Sequence, residues 1–130
     1  SRLDVLIAQH GLQHRVASAD FQANPYPWMA GAELLVLCSD HEGLPNVLIE
    51  ALACGTRVVS TDCPSGPREI LGGELARWLV PCNDPEALAA AMVAALAAPK
   101  PAPGVVAAAL APYAAERALS AWEALARESF

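Results

Sequence analysis

Apolar residues follow two rhythms along this chain, and the switches between them mark its elements. Leu34-Leu35-Val36-Leu37-Cys38 is a continuous apolar run bounded by polar residues, the pattern of a buried strand. Val47, Leu48, Ile49, Ala51, Leu52 and Ala53 follow a turn, and they predict a helix from about Pro45 to Cys54. Proline suits its first turn, where a missing N–H costs nothing, and Gly55 supplies the stop. Arg57-Val58-Val59-Ser60-Thr61 is a second strand. Strand, helix and strand within so short a span predict a parallel pair joined by a right-handed crossover.

The rest of the chain gives weaker signals. Leu3, Leu6 and Ile7 have helical spacing within Ser1 to His10, and Gly11 ends that segment. Val16 to Phe21 is a strand candidate. Asn24-Pro25-Tyr26-Pro27 is turn chemistry, with a short helix expected over Trp28 to Glu33. A loop at Asp62 to Pro67 precedes a short helix near Arg68 to Leu71, which Gly72-Gly73 breaks. Ala76 to Val80 reads as a third strand of the main unit. Asn83-Asp84-Pro85-Glu86 combines a capping residue, a first-turn proline and an early acid, so a helix follows to about Ala98. Pro99 to Gly104 is a linker or sharp corner. Beyond it come a short helical piece and a last amphipathic helix over about Ala114 to Glu128, with Leu119, Trp122 and Leu125 on one face.

Together these elements predict an α/β fold with a parallel sheet and flanking helices. A chain of 130 residues holds one domain at most. The expected division is a sheet-bearing unit over 1–98, with a linker and carboxyl-terminal helices over 99–130 packing on it. Apolar residues make up 55% of the chain, but much of that is alanine, which favours helices rather than a membrane span. The first residues lack the basic-then-apolar pattern of a signal peptide, and a cytosolic chain is the default expectation. A net charge of −6 with one lysine and scattered arginines excludes nucleic acid as the main partner. Cys38, Cys54, Cys63 and Cys82 have no Cys-x-x-Cys spacing and read as reduced structural thiols.

Candidate chemistry gathers at the turn between the first strand and its helix. Glu42 and Glu50 stand eight residues apart, on the order of 6–12 Å at helical rise. A glycine turn feeding a helix start beyond a strand is where α/β proteins bind phosphorylated ligands. The amides of Asn46, Val47 and Leu48, with the Gly43-Leu44 turn, would make a partly positive pocket for a diphosphate. Gly43 lets backbone approach a ligand that a Cβ would block. Glu50 lies in an otherwise apolar helix, where vicinal ribose hydroxyls would suit its charge. Glu42, beside His41, is placed to hydrogen-bond sugar hydroxyls. The plainer reading is a solvated stripe of Asn46, Glu50 and Arg57, with Glu42 a loop acid. Ser65, Arg68 and Glu69 border the same crevice, and Arg68 is a candidate phosphate ligand. His10 and His14 are interrupted by Gly11 and do not read as a metal pair. Tyr26 and Trp28 read as packing residues.

Ser39 to Gly55, then Val58-Val59-Ser60-Thr61-Asp62, Pro64 to Leu71 and Asn24-Pro25-Tyr26, resembles the retaining GT-B glycosyltransferases of family 4, which carry a Glu-x7-Glu signature. The resemblance covers roughly residues 3 to 97. It implies a nucleotide-sugar donor (a UDP- or GDP-sugar) as substrate and no required metal or other cofactor. It implies that Glu42 contacts the donor sugar near the reacting centre, that backbone around Gly43 and Leu44 meets sugar hydroxyls, that Asn46, Val47 and Leu48 meet the diphosphate, and that Glu50 holds the ribose.

Enzymes of that family have two Rossmann-like domains. The acceptor domain has no counterpart here, nor does the opening strand–helix–strand of the donor domain with its Arg and Lys. Arg57 and Arg68 are the nearest substitutes. The expectation is therefore an incomplete GT-B carboxyl-terminal domain lacking its first strands, a fragment inactive alone. Its acceptor would be a glycan, lipid or polysaccharide precursor, and the full-length parent would be cytoplasmic or peripheral at the inner membrane. The rival is a non-catalytic binding module that self-associates through an unpaired sheet edge.

Overall fold

The computed structural model describes residues 1–113 and 122–127. Among these residues the sheet has three parallel strands, β1 (Leu35–Leu37), β2 (Val58–Thr61) and β3 (Leu79–Val80), in the order β1-β2-β3. Leu35 faces Val58, and Thr61 faces Val80. All four residues of β2 are buried, as a central strand covered on both faces requires. The α/β parallel architecture matches the sequence expectation.

Helices α1 (Arg2–Gln9) and α2 (Tyr26–Gly31) precede the sheet. Helix α3 (Asn46–Ala53) crosses from β1 to β2, and α4 (Gly66–Ile70) leads from β2 toward β3. Helices α5 (Pro85–Ala97) and α6 (Pro103–Leu110) follow. Asp84 caps α5, its carboxylate accepting the Ala87 N–H at 3.0 Å, and Pro85 opens it. Gly55 and Gly11 end their helices at φ +77° and +66°, conformations that a Cβ disfavours.

The core is built around α3. Its Leu48, Ile49, Ala51 and Leu52 are almost completely buried, and they cluster with Met29 of α2, Val58 of β2, and Ile70, Leu71 and Leu75. Val105, Val106, Ala109, Leu110 and Tyr113 pack against the same cluster, so α3 is covered by the sheet on one side and by α2 and α6 on another. Thr56 is buried just beyond α3 and donates its hydroxyl to the Met29 carbonyl at 2.6 Å, tying α2 to the α3–β2 connection.

Several boundaries differ from the sequence reading. Val16 to Phe21 is not a strand: the segment is exposed, with Phe21 92% accessible, and no described strand lies beside it to complete its hydrogen bonds. The third strand is shorter than Ala76 to Val80, because Gly73–Trp78 winds into a 3-10 helix. That turn begins at Gly73 with φ +57° and stacks Leu75 above Trp78, three residues apart. The first strand is half-buried rather than buried. Residues 122–127 are helical as expected, and Asn24 Nδ2 donates to the Ala124 carbonyl at 3.1 Å. The remainder of the expected last helix, Leu119 included, lies outside the described residues.

Candidate functional site

Parallel strands that share a direction point all their carboxyl ends to one side, and the loops that leave them converge there. The loop after β1 carries His41, Glu42, Gly43 and Leu44. The loop after β2 carries Asp62, Pro64 and Ser65. The two are zipped together: the Glu42 N–H donates to the Pro64 carbonyl at 3.0 Å, and the Ser65 N–H donates to the Glu42 carbonyl at 3.0 Å. This bridge extends the parallel pairing beyond the strands, and it fixes the backbone on either side of the Glu42 side chain. The half-buried carboxylate accepts the Ser39 hydroxyl at 2.9 Å, which sets its orientation from below.

Gly66 decides how closely these loops approach. A Cβ built on it would overlap the Gly43 carbonyl oxygen and lie 2.5 Å from Pro45 Cδ. Only a glycine lets the start of α4 touch the turn that feeds α3. Sequence reading placed Gly66 in a loop and did not single it out, since a close backbone approach leaves no local signal.

At the tip of α3 the helix begins one residue later than expected, with Pro45 as its buried capping residue. The Leu48 N–H closes the first turn on the Pro45 carbonyl at 3.0 Å. It is not an outward-facing amide, and the Leu48 side chain is wholly buried. Asn46 and Val47, the first two residues of the helix, are the positions whose amides have no intrahelical acceptor. The Asn46 side chain adds a buried Oδ1 for which the protein supplies no hydrogen bond. Gly43 and Leu44 are exposed beside the tip, as is His41.

One turn inside the helix, Glu50 is half-buried among apolar neighbours. Its charge is felt by Cys54, whose thiol is pushed to a higher pKa by burial first and by Glu50 second. Asn46 and Glu50 therefore do not form a solvated stripe with Arg57. The Arg57 side chain is 17% exposed, at the amino end of β2, donating to the Ala98 carbonyl at 3.0 Å and paired with Glu33 at 3.4 Å. A helix of eight residues, about 12 Å long, separates it from the tip, so Arg57 is no substitute for the family's basic pair.

Arg68 lies on the correct side of the sheet. Its guanidinium grips Asp62 through both carboxylate oxygens, Nε at 3.2 Å from Oδ1 and Nη2 on Oδ2, and this bonding raises its pKa. The arginine is largely exposed, so the pair is a surface contact, with the fork already engaged.

A cavity of about 300 Å³ also opens at the carboxyl ends of the strands, lined by Cys38, Asp40, Thr61, Pro81, Asn83 and Asp84. Larger cavities of about 460 and 470 Å³ lie away from the α3 tip, against the 3-10 helix and α6. Among the described residues no group of three His, Cys, Asp or Glu side chains is placed to hold a metal ion. Nor is any described helix long and apolar enough to cross a membrane.

Comparison with known proteins matches residues 2–98 to the family model for glycosyl transferases group 1. An uncharacterized glycosyltransferase of Methanocaldococcus jannaschii is 44% identical over 75 residues, covering 58% of this chain and 18% of that protein. The Campylobacter jejuni N-acetylgalactosamine-N,N'-diacetylbacillosaminyl-diphospho-undecaprenol 4-alpha-N-acetylgalactosaminyltransferase is 45% identical over 69 residues, covering 53% of this chain and 19% of that protein. A lipopolysaccharide core biosynthesis glycosyltransferase of Rhizobium meliloti, LpsE, is 34% identical over 90 residues, covering 69% and 26%. The chain thus spans about a fifth to a quarter of the length of these relatives.

Proposed function

Because the chain belongs to the glycosyl transferases group 1 family, we propose that it forms the donor-binding portion of a retaining GT-B glycosyltransferase of family 4. The nucleotide diphosphate of a UDP- or GDP-sugar lies over the tip of α3. The Asn46 and Val47 amides and the positive end of the helix dipole take its negative charge. Gly43 and Leu44 offer exposed backbone to the sugar. Glu42 orients the sugar from one side and Glu50 accepts the ribose hydroxyls from the other, which assigns the two acids of the Glu-x7-Glu spacing separate tasks. Arg68 is a candidate cation on the same side of the sheet, and it would reach phosphate by leaving Asp62.

The observation that carries this reading is the placement of Glu50. It is a half-buried acid one turn behind the helix tip, in a helix whose Leu48, Ile49, Ala51 and Leu52 pack into the core. Vicinal ribose hydroxyls would add hydrogen-bond donors to a carboxylate at this place. The acceptor in the longer protein is a glycan or lipid-linked sugar, the class named for the Campylobacter relative, which suits a protein peripheral to a membrane. The 130 residues bind donor but do not by themselves transfer sugar, since they match only about a fifth to a quarter of the length of the relatives.

Calorimetric titration of the chain with UDP and with GDP tests this. One nucleotide should bind, and Glu50→Ala should weaken it at least tenfold, about 1.4 kcal/mol. Absence of binding together with a stable dimer would instead favour an assembly module, and measurable sugar transfer by the isolated chain would refute its proposed inactivity.

A further inference from the structure

Two well-anchored segments line the cavity of about 460 Å³ beside the 3-10 helix. One is that helix itself, Gly73–Trp78, held by its buried Leu75 and by Trp78, which packs against the core. The other is the corner between α5 and α6. Pro99, Pro101 and Pro103 alternate there, and each fixes its own φ. Arg57 Nε pins the start of this corner through the Ala98 carbonyl at 3.0 Å. Val105 of α6 lines the space as well and packs against the core. The volume falls in the range of small-molecule sites, roughly 300–1,000 Å³.

Each segment brings one cation to this space, Arg77 from the 3-10 helix and Lys100 from the corner. The Arg77 guanidinium carbon stands 4.3 Å from the centre of the Trp78 ring, a cation–π stack. Stacking holds the planar fork in place while leaving its N–H groups for a ligand. Lys100, the one lysine of the chain, stands between two prolines. Among the described residues neither Arg77 nor Lys100 has an ion-pair or side-chain hydrogen-bond partner. Glu74 lines the same cavity, so two positive charges meet one negative charge there, in a chain whose net charge is −6.

We propose that this cavity is a second ligand site, for a phosphate monoester carrying an aromatic or otherwise apolar body. Such a phosphate bears about −1.5 to −2 charges at neutral pH and offers three acceptor oxygens. The Arg77 fork matches two of those oxygens, and Lys100 supplies a point charge beside them. Leu75, Trp78 and Val105 offer apolar surface to the body of the ligand. Glu74 repels the same anion, so removing its charge strengthens binding where removing either cation weakens it. The cavity lies away from the α3 tip, and the site does not depend on what binds there.

The labelled full chain is titrated with phenyl phosphate while its amide and indole N–H signals are followed. The expected result is saturable shifts at Glu74 to Trp78, Lys100, Ala102 and Val105 that weaken as salt is raised. Phenol should leave these signals in place, and inorganic phosphate should bind more weakly than the ester. Arg77→Gln and Lys100→Gln should each weaken binding at least threefold, and Glu74→Gln should tighten it at least twofold. Lys100 is exposed, so its variant keeps the fold and decides the matter even where Arg77→Gln disturbs the Trp78 stack. Pelleting of the chain with phosphatidate-containing vesicles, and not with phosphatidylcholine alone, would assign the phosphate to a lipid, whereas phenyl phosphate binding without pelleting would assign it to a soluble ester. No saturable shift at these residues with millimolar phenyl phosphate, equal shifts with phenol, or unchanged affinity in Lys100→Gln and Glu74→Gln would overturn the proposal. Signals at the α3 tip report on the nucleotide separately, so failure at one site is distinguishable from failure at the other.

Discussion

Gly66 has no side chain, yet it sets the distance between the two loops on which the candidate site is built. The atoms that a Cβ would meet are backbone and a proline ring, neither of which can rotate away. Gly66→Ala should therefore destabilise the fold by about 1–3 kcal/mol, the ordinary cost of overpacking. A lowered urea midpoint at unchanged slope would show this. The same substitution should push the Gly43–Pro45 turn away from its neighbour and weaken nucleotide binding beyond what stability alone explains. At this scale the sequence was uneven as a guide. Glu42, Gly43, Leu44, Asn46 and Val47 are brought to one tip because they are contiguous, which a linear reading captures. Leu48 turns inward with its N–H already used, and Arg57 sits at the opposite end of its strand. Partners set by strand pairing, such as Ser39 for Glu42, are legible only once the register is known. Asp62 for Arg68 likewise depends on how a loop folds back.

Among the elements, α3 was the most legible, since an apolar segment between a first-turn proline and a terminal glycine admits few other structures. Its attachment to α2 was not. Thr56 Oγ1 reaches the Met29 carbonyl across 27 residues of sequence, and nothing local signals it. Thr56→Val keeps the volume and removes the donor. The Met29 carbonyl retains the Ala32 N–H at 3.2 Å, so the expected loss is about 1 kcal/mol. Thermal or urea unfolding would measure it, and a neutral result would mean that α2 is held by apolar contact alone. One expected strand is missing and another is shortened, each for an identifiable reason. Val16 to Phe21 has β-compatible residues but, among the described residues, no neighbouring strand, and strand propensity without a partner leaves backbone groups to water. Ala76 to Trp78 was assigned by composition, whereas Leu75 and Trp78 recur with the three-residue period of a 3-10 turn.

For the molecule as a whole, the parallel sheet was readable because strand–helix–strand units have one favoured hand and one favoured pairing. That α5 lies on the sheet and α6 on α3 was not readable, because near-uniform alanine gives neither helix a marked apolar stripe. The family match over residues 2–98 falls on the sheet and the helices around it. The relatives are several times longer, this chain covering 18%, 19% and 26% of three of them.

Everything proposed about that chemistry depends on a phosphorylated ligand settling where α3 begins. Backbone amide spectra of the labelled chain, recorded during titration with UDP and then GDP, address this residue by residue. With at least one nucleotide the account predicts saturable shifts concentrated at Gly43, Leu44, Asn46 and Val47 and extending to Glu50. Shifts confined to the Glu74, Trp78 and Lys100 cavity, or none at millimolar concentrations of either nucleotide, would contradict it.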